Sequence, residues 1–187
     1  MLLSHHDFTI LVNQTCCLDQ TYLPPDLVSA EIPFEAEPED PKRLLRAEAA
    51  LAVKRLFQRA QADGLHLYGI SGYRSYQRQK ELFSQSTSGY VAAPGASEHQ
   101  TGLALDVSCP SVYLELSEQF SESPEGKWLA DYASLYGFIL RYPKGKESIT
   151  GCPYEPWHFR YVTAPLASYL TLTGQTLEEY HALSDLF

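Results

Sequence analysis

The residues of this chain best suited to chemistry fall in two short stretches, "SEHQTGLALD" (97–106) and "YEPWHF" (154–159). His99 and Asp106 come from the first, and Glu155 and His158 from the second. Two imidazoles and one carboxylate form a common three-ligand zinc shell that leaves a fourth position for water. Zinc lowers the pKa of such a water toward about 7. A neighbouring carboxylate not spent on the metal can take the proton and pass it to a leaving amine, a role that suits Glu155. Residues i and i+3 of a strand face apart, but a kink at Pro156 can turn Glu155 back toward whatever His158 binds. Taken singly, each of these side chains reads as a surface or hydrogen-bonding group. Together they carry more weight, because both histidines sit in apolar or aromatic strand-like segments where an uncompensated polar group is costly. His5, His6, His66 and His181 lack such companions and read as structural or surface residues. Arg74, at the turn "GYRS", reads either as a structural clamp or as a partner for a substrate carboxylate or developing oxyanion.

Elements must be found to position these groups. Pro24, Pro25, Pro33, Pro38 and Pro41 punctuate an extended N-terminal arm with little regular structure. Asp40 as N-cap and Pro41 at the first helical position predict a helix running to Gly64, with Leu45, Ala49, Ala52, Leu56 and Ala60 as its apolar stripe. "LHLYGIS" (65–71) predicts a strand, and Ser75 caps a second helix, placing Arg74 at its N-terminus. "TGLALDVS" alternates Leu103, Leu105 and Val107 against Ala104, Asp106 and Ser108, so it predicts a half-buried strand with Asp106 facing away from the apolar row. "GKWLADYASLYG" predicts a helix closed by Gly137, "FILRY" and "HFRYV" predict strands, and two helices end the chain, the second opened by the capping box Thr176 to Glu179. Helices and hairpin-like strands without a regular βαβ alternation indicate one α+β domain with an antiparallel sheet and flanking helices.

The 187 residues, 44% of them hydrophobic, suit a single packed core, and a net charge of −9 with scattered Lys and Arg argues against nucleic acid as a partner. No stretch approaches the roughly 20 apolar residues of a membrane helix, and "MLLSHHDFTILVN" lacks a basic region and a small-residue cleavage site, so the chain reads as soluble and without a membrane segment. Cys16, Cys17, Cys109 and Cys152 form no CxxC pair and read mostly as buried apolar residues.

The blocks "SGYRSYQRQ", "SEHQTGLALDVS", "YGFILRYP" and "YEPWHFRYV", in this order over about residues 65–165, resemble the signatures of the D-alanyl-D-alanine carboxypeptidase family that includes the VanY and VanXY vancomycin-resistance enzymes and the LdcB-type L,D-carboxypeptidases. The resemblance implies a zinc peptidase with one Zn2+ that trims the C-terminal D-alanine from peptidoglycan stem peptides, on a compact α+β fold shared with Hedgehog signalling domains. It implies His99, Asp106 and His158 as ligands, Glu155 as general base and Arg74 on the substrate carbonyl or carboxylate. Gln79, Ser97 and Tyr142 are its candidates for contacts with the terminal D-residue. Residues 1–40 are then an arm packed on a catalytic domain of residues 41–187, expected to act as a monomer. The compartment is the cell envelope if an N-terminal anchor or signal has been removed, and otherwise the cytoplasm. The chain departs from many relatives at "NQTCCLD", where those carry an "NKxxPL" segment. Three other readings compete. A zinc-containing binding domain without catalysis is disfavoured by the presence of both Glu155 and Arg74. A non-haem iron oxygenase would place its first histidine and carboxylate closer together. "EHQTG" is not the HExxH of thermolysin-like enzymes.

Overall fold

The computed structural model describes residues 8–86 and 91–184, so His5 and His6 lie outside it. A two-stranded sheet pairs β1 (Leu27–Ser29) with β2 (Leu44–Arg46). A four-stranded sheet has the order β3 (Tyr68–Ser71), β4 (Ala104–Ser108), β6 (His158–Tyr161), β5 (Phe138–Leu140), and every neighbouring pair is antiparallel. Around them lie α1 (Ala47–Ala62), α2 (Tyr76–Gln85), α3 (Pro124–Tyr132), α4 (Glu147–Thr150), α5 (Ala164–Thr173) and α6 (Leu177–Ser184). The class is the expected α+β.

The first long helix starts later than the sequence suggests. Asp40 does cap a turn, accepting the Lys42 N–H at 2.9 Å, but that turn is a single 3-10 segment, Pro41–Arg43. The next residues extend because their carbonyls are needed elsewhere. Lys42 and Leu44 accept the N–H groups of Gly72 and Tyr73 at 2.6 and 2.8 Å, and Leu45 pairs with Val28. A helix would point those carbonyls along its own axis. From Ala47 the pattern holds, with Ala49, Ala50, Val53, Leu56, Phe57 and Ala60 buried; Val53 and Phe57 join the expected stripe, and Ala52 is only half-buried. Residue 72 has to be glycine, since a Cβ there would lie 2.6 Å from both the Leu44 and Lys42 oxygens.

Leu105, Val107, Phe159 and Phe138 pack with Leu56, Phe57 and Leu129 in one apolar core, each such side chain contributing about 1.5–3 kcal/mol. The opposite face of β4 is not open to water, contrary to the half-buried expectation: all five of its residues are buried. All four expected strands are shorter than the segments that predict them, and "GKWLADYASLYG" changes from α3 into a 3-10 turn (Ala133–Tyr136) before Gly137 at φ 91. The capping box forms as expected, Thr176 N–H to Glu179 Oε2 at 2.8 Å and Glu179 N–H to Thr176 Oγ1 at 3.2 Å. The cysteine expectation is corrected: Cys109 alone is buried, Cys16 and Cys17 are exposed, Cys152 is half-buried, and all four are free thiols. Cys16 and Cys17 lie on the exposed Asn13 turn, whose side-chain oxygen accepts the Cys16 N–H.

Candidate metal centre and its cleft

The two stretches meet through strand register. Asp106 on β4 stands directly opposite His158, the first residue of β6, and opposite Ser71 on β3, so three polar side chains form a row across the sheet. His99 reaches the row from a 3-10 turn, Glu98–Thr101, and not from a strand. Its place is set by Gly72, whose carbonyl oxygen lies 2.7 Å from His99 Nδ1. Glu155 arrives through a turn with Pro156 in its second position, closed by the His158 N–H on the Glu155 carbonyl at 3.1 Å. That turn brings Glu155 Oε2 to 3.9 Å from His158 Nδ1, so the kink expected at Pro156 forms.

His99, Asp106 and His158 each offer one ligand atom, and these atoms lie within 4.8 Å of one another. All three residues are buried. Asp106 Oδ2 is 3.2 Å from His99 Nε2, and Asp106 Oδ1 is 3.0 Å from His158 Nδ1. Because a carbonyl only accepts, His99 Nδ1 carries the hydrogen and Nε2 turns a lone pair toward the carboxylate. Two acceptors facing each other at 3.2 Å are compatible only with a cation or proton between them, and the donor set suits a divalent metal.

Burial would raise the Asp106 carboxyl, but the facing imidazoles hold it well below the usual range. Burial pushes His99 down and keeps it neutral. His158 goes the other way: burial opposes its charge, yet hydrogen bonding to Asp106 and Glu98 lifts it to about 9. Glu155 is pushed up to about 7, chiefly by burial and against the pull of His158, with Asp106 adding to the rise. Two neighbouring carboxylates therefore differ sharply in basicity, as acid–base sites require. The Cys152 thiol, also lining the cleft, is pushed up to about 11 by burial, so it stays protonated at neutral pH and is a poor nucleophile or ligand.

These groups open onto a cleft of about 650 Å3 that also takes in Arg74, Gln79, Ser97 and Tyr142. Every site residue expected from the sequence is thus brought to one place. Arg74 is oriented by its N–H on the His99 carbonyl at 3.1 Å, and its guanidinium donates to Gln79 Oε1 at 2.9 Å and Ser71 Oγ at 3.1 Å. Gln79 is almost fully buried and also donates to the Ala92 carbonyl, so its amide is committed to holding Arg74 and the cleft wall. The Tyr142 ring lies 4.9 Å from that of His158. His181 is structural as expected, meeting the Thr9 carbonyl at 2.6 Å, and His66 is exposed. Sequence reasoning missed a group of ions beneath the site: Glu98, Arg141 and Arg160 are each at most 1% exposed, and Arg141 Nε and Arg160 Nη1 each lie 2.7 Å from Glu98 Oε1. The available signal was an arginine inside each of the apolar strands "FILRY" and "HFRYV", which requires a buried partner.

Comparison with known proteins agrees with this geometry. YodJ of Bacillus subtilis (strain 168), which carries a carboxypeptidase name, is 47% identical over 178 residues, covering 91% of this chain and 65% of its own length. The bifunctional D-Ala-D-Ala dipeptidase and carboxypeptidase VanXYC of Enterococcus gallinarum is 38% identical over 183 residues, 91% of this chain and 92% of that protein. The chain thus spans just under two thirds of the Bacillus relative. Among solved structures, the LdcB LD-carboxypeptidase superposes with a TM-score of 0.88 at 47% identity, over 92% of this chain and 84% of that one. VanYB in complex with D-alanine-D-alanine superposes at 0.75 and 30% identity, over 94% and 97%. A VanY D,D-pentapeptidase from a VanB-type resistance cassette, solved with Zn(II), gives the same two values. The family model described as VanY, D-alanyl-D-alanine carboxypeptidase, matches residues 42–164, and with it the resemblance carried by the four sequence blocks becomes membership: this chain belongs to the D-alanyl-D-alanine carboxypeptidase family.

Proposed function

We propose that the protein is a zinc-dependent carboxypeptidase that hydrolyses the peptide bond before a C-terminal D-alanine in peptidoglycan stem peptides or their precursors. The observation that carries this reading is the placement of Glu155, a carboxyl raised to about 7, beside a three-group metal centre within one cleft. His99 Nε2, Asp106 and His158 Nδ1 would hold the metal. A divalent ion there supplies Lewis acidity, polarising a carbonyl and making water a nucleophile near neutral pH. Glu155 takes a proton from the attacking water as the new C–O bond forms. The same carboxyl then delivers that proton to the leaving nitrogen as the C–N bond breaks. Arg74, fixed by Gln79 and Ser71, offers its remaining N–H groups to the terminal carboxylate or to the oxyanion of the tetrahedral species. Ser97 and Tyr142 line the cleft where a terminal D-residue would sit.

The leading assignment is D,D cleavage, as in VanY. A second reading, L,D cleavage of tetrapeptides, is favoured by the higher identity to the LdcB structure, 47% against 30% for VanYB. Release of D-alanine from the pentapeptide, the tetrapeptide and free D-Ala-D-Ala decides between them. Turnover of the pentapeptide alone supports the first, turnover of the tetrapeptide alone the second, and no zinc-dependent release from any of them overturns the proposal. Among the described residues no helix is long and apolar enough to cross a membrane. A substrate in assembled wall places the enzyme at the cell envelope and a soluble precursor places it in the cytoplasm, which cell fractionation separates.

A further inference from the structure

We propose that Glu98 is a positioning residue for His158, fixing its ring so that Nε2 keeps its hydrogen and Nδ1, facing Asp106, is the nitrogen that gives up its proton to take the metal. The inference rests on the reading that His158 is a metal ligand. Glu98 Oε2 lies 3.5 Å from His158 Nε2, on the side of the ring away from Asp106. Its other oxygen receives Arg141 Nε and Arg160 Nη1, both at 2.7 Å, in a setting with no side-chain exposure. A carboxylate paired with two guanidiniums is unprotonated and only accepts, so the ring nitrogen facing it is a donor. With Nε2 thus committed, Nδ1 is left for the metal site, the arrangement by which a carboxylate behind a metal-binding histidine sets its tautomer and orientation.

The carboxylate itself is held from two directions. Arg160 stands two residues after His158 on β6, so both side chains leave the same face of the strand. Its Nη2 also donates to the carbonyls of Phe8 and Ile10, at 3.1 and 2.8 Å. Arg141 forks its two Nη groups onto Glu178 of α6, at 2.8 and 2.6 Å. The terminal helix and the N-terminal segment therefore brace the guanidiniums that brace Glu98. Burying three charges for packing alone is a poor bargain, since apolar side chains of similar volume usually stabilise as well or better. Orientation of His158 gives the cluster a purpose that packing does not.

The test uses the full chain and Zn(II). In zinc-loaded wild type, 15N-edited NMR of the imidazoles reads which His158 nitrogen carries the proton, assigned by its loss in His158→Asn. The expected result is hydrogen on Nε2 and metal on Nδ1; the opposite tautomer overturns the proposal. Glu98→Asp keeps the charge for both arginines but shortens the side chain by one methylene, and Glu98→Gln keeps the length but puts a donor toward the ring. Competition with a chromophoric chelator should show zinc affinity lowered about 10–100-fold in whichever variant folds by circular dichroism. A folded variant that melts lower yet binds zinc like wild type has lost only packing, and that overturns the proposal. Wild type that binds no zinc overturns the underlying metal reading instead.

Discussion

Glu155 lets catalysis and stability be pulled in opposite directions by one substitution. Its carboxyl is raised from 4.5 to about 7 by burial in the metal-free protein. The folded state therefore holds the proton more tightly than the unfolded chain does. The stability contributed by that proton is complete below about 4.5 and is lost as pH climbs through about 7. At 1.36 kcal/mol per pKa unit, the charged carboxylate costs the fold about 3 kcal/mol at pH 8. Glu155→Gln is neutral at every pH and escapes that cost. Chelator-treated Glu155→Gln should melt several degrees above wild type at pH 8 and at nearly the same temperature at pH 5. Activity should move the other way. If Glu155 is the general base proposed for it, its loss should remove about 100- to 10,000-fold in rate, or about 2.7–5.4 kcal/mol of barrier, while zinc content stays at the wild-type level. Paired melting curves at the two pH values and single-turnover hydrolysis of a D-alanine-terminated peptide measure both sides. A variant with no melting advantage at pH 8, or one that hydrolyses like wild type, would refute the reasoning, the first by denying the buried charge and the second by denying its use.

Other consequences are as direct. His99→Ala should abolish metal retention on gel filtration, read by elemental analysis, because it removes one of the three side chains proposed to hold the metal. Zinc binding near pH 8 should release protons, since His158 without metal is raised to about 9; calorimetry in buffers of different ionisation enthalpy counts them, and a count of zero contradicts that protonation. Hydrolysis should accordingly fall in acid, and a flat profile to pH 4 contradicts both the base and the ligand assignments. Arg74→Lys keeps the charge but loses the fork held by Gln79 and Ser71, so kcat/KM should drop about 100-fold or more with zinc content unchanged. Gly72→Ala should destabilise the fold by about 1–3 kcal/mol in chemical denaturation, because its Cβ would meet two backbone oxygens at 2.6 Å.

What could be read from the sequence followed from locality. Ser75, Thr176 and Glu179 cap helices through bonds spanning three residues, so their signals survive in the sequence, and the apolar row Leu103, Leu105, Val107 needs only the two-residue period of a strand. The metal-centre residues were legible for a different reason: histidines and acids in apolar surroundings are expensive wherever the chain places them. The start of α1 was misread because its local cues, Asp40 and Pro41, are genuine and do form a turn. What overrides them is a demand from residues 72 and 73, about thirty positions on, for the Lys42 and Leu44 carbonyls. No window short enough to judge helix propensity contains that demand.

The ions beneath the site illustrate the same limit with more at stake. Arg160 sits in a buried apolar strand and Arg141, equally buried, directly follows another, and an unpaired guanidinium in either place costs several kcal/mol, so a partner was implied though not its identity. Glu98 could not be chosen locally, because its neighbours His99 and Gln100 are equally polar and the pairing spans 43 and 62 residues. The antiparallel register makes the choice. Placing Asp106 opposite His158 sets Arg160 opposite Ala104, a side chain small enough to leave room for the guanidinium beside Glu98. Thus the register that assembles the metal centre also positions the charges behind it, and a slip of one residue between β4 and β6 would lose both together.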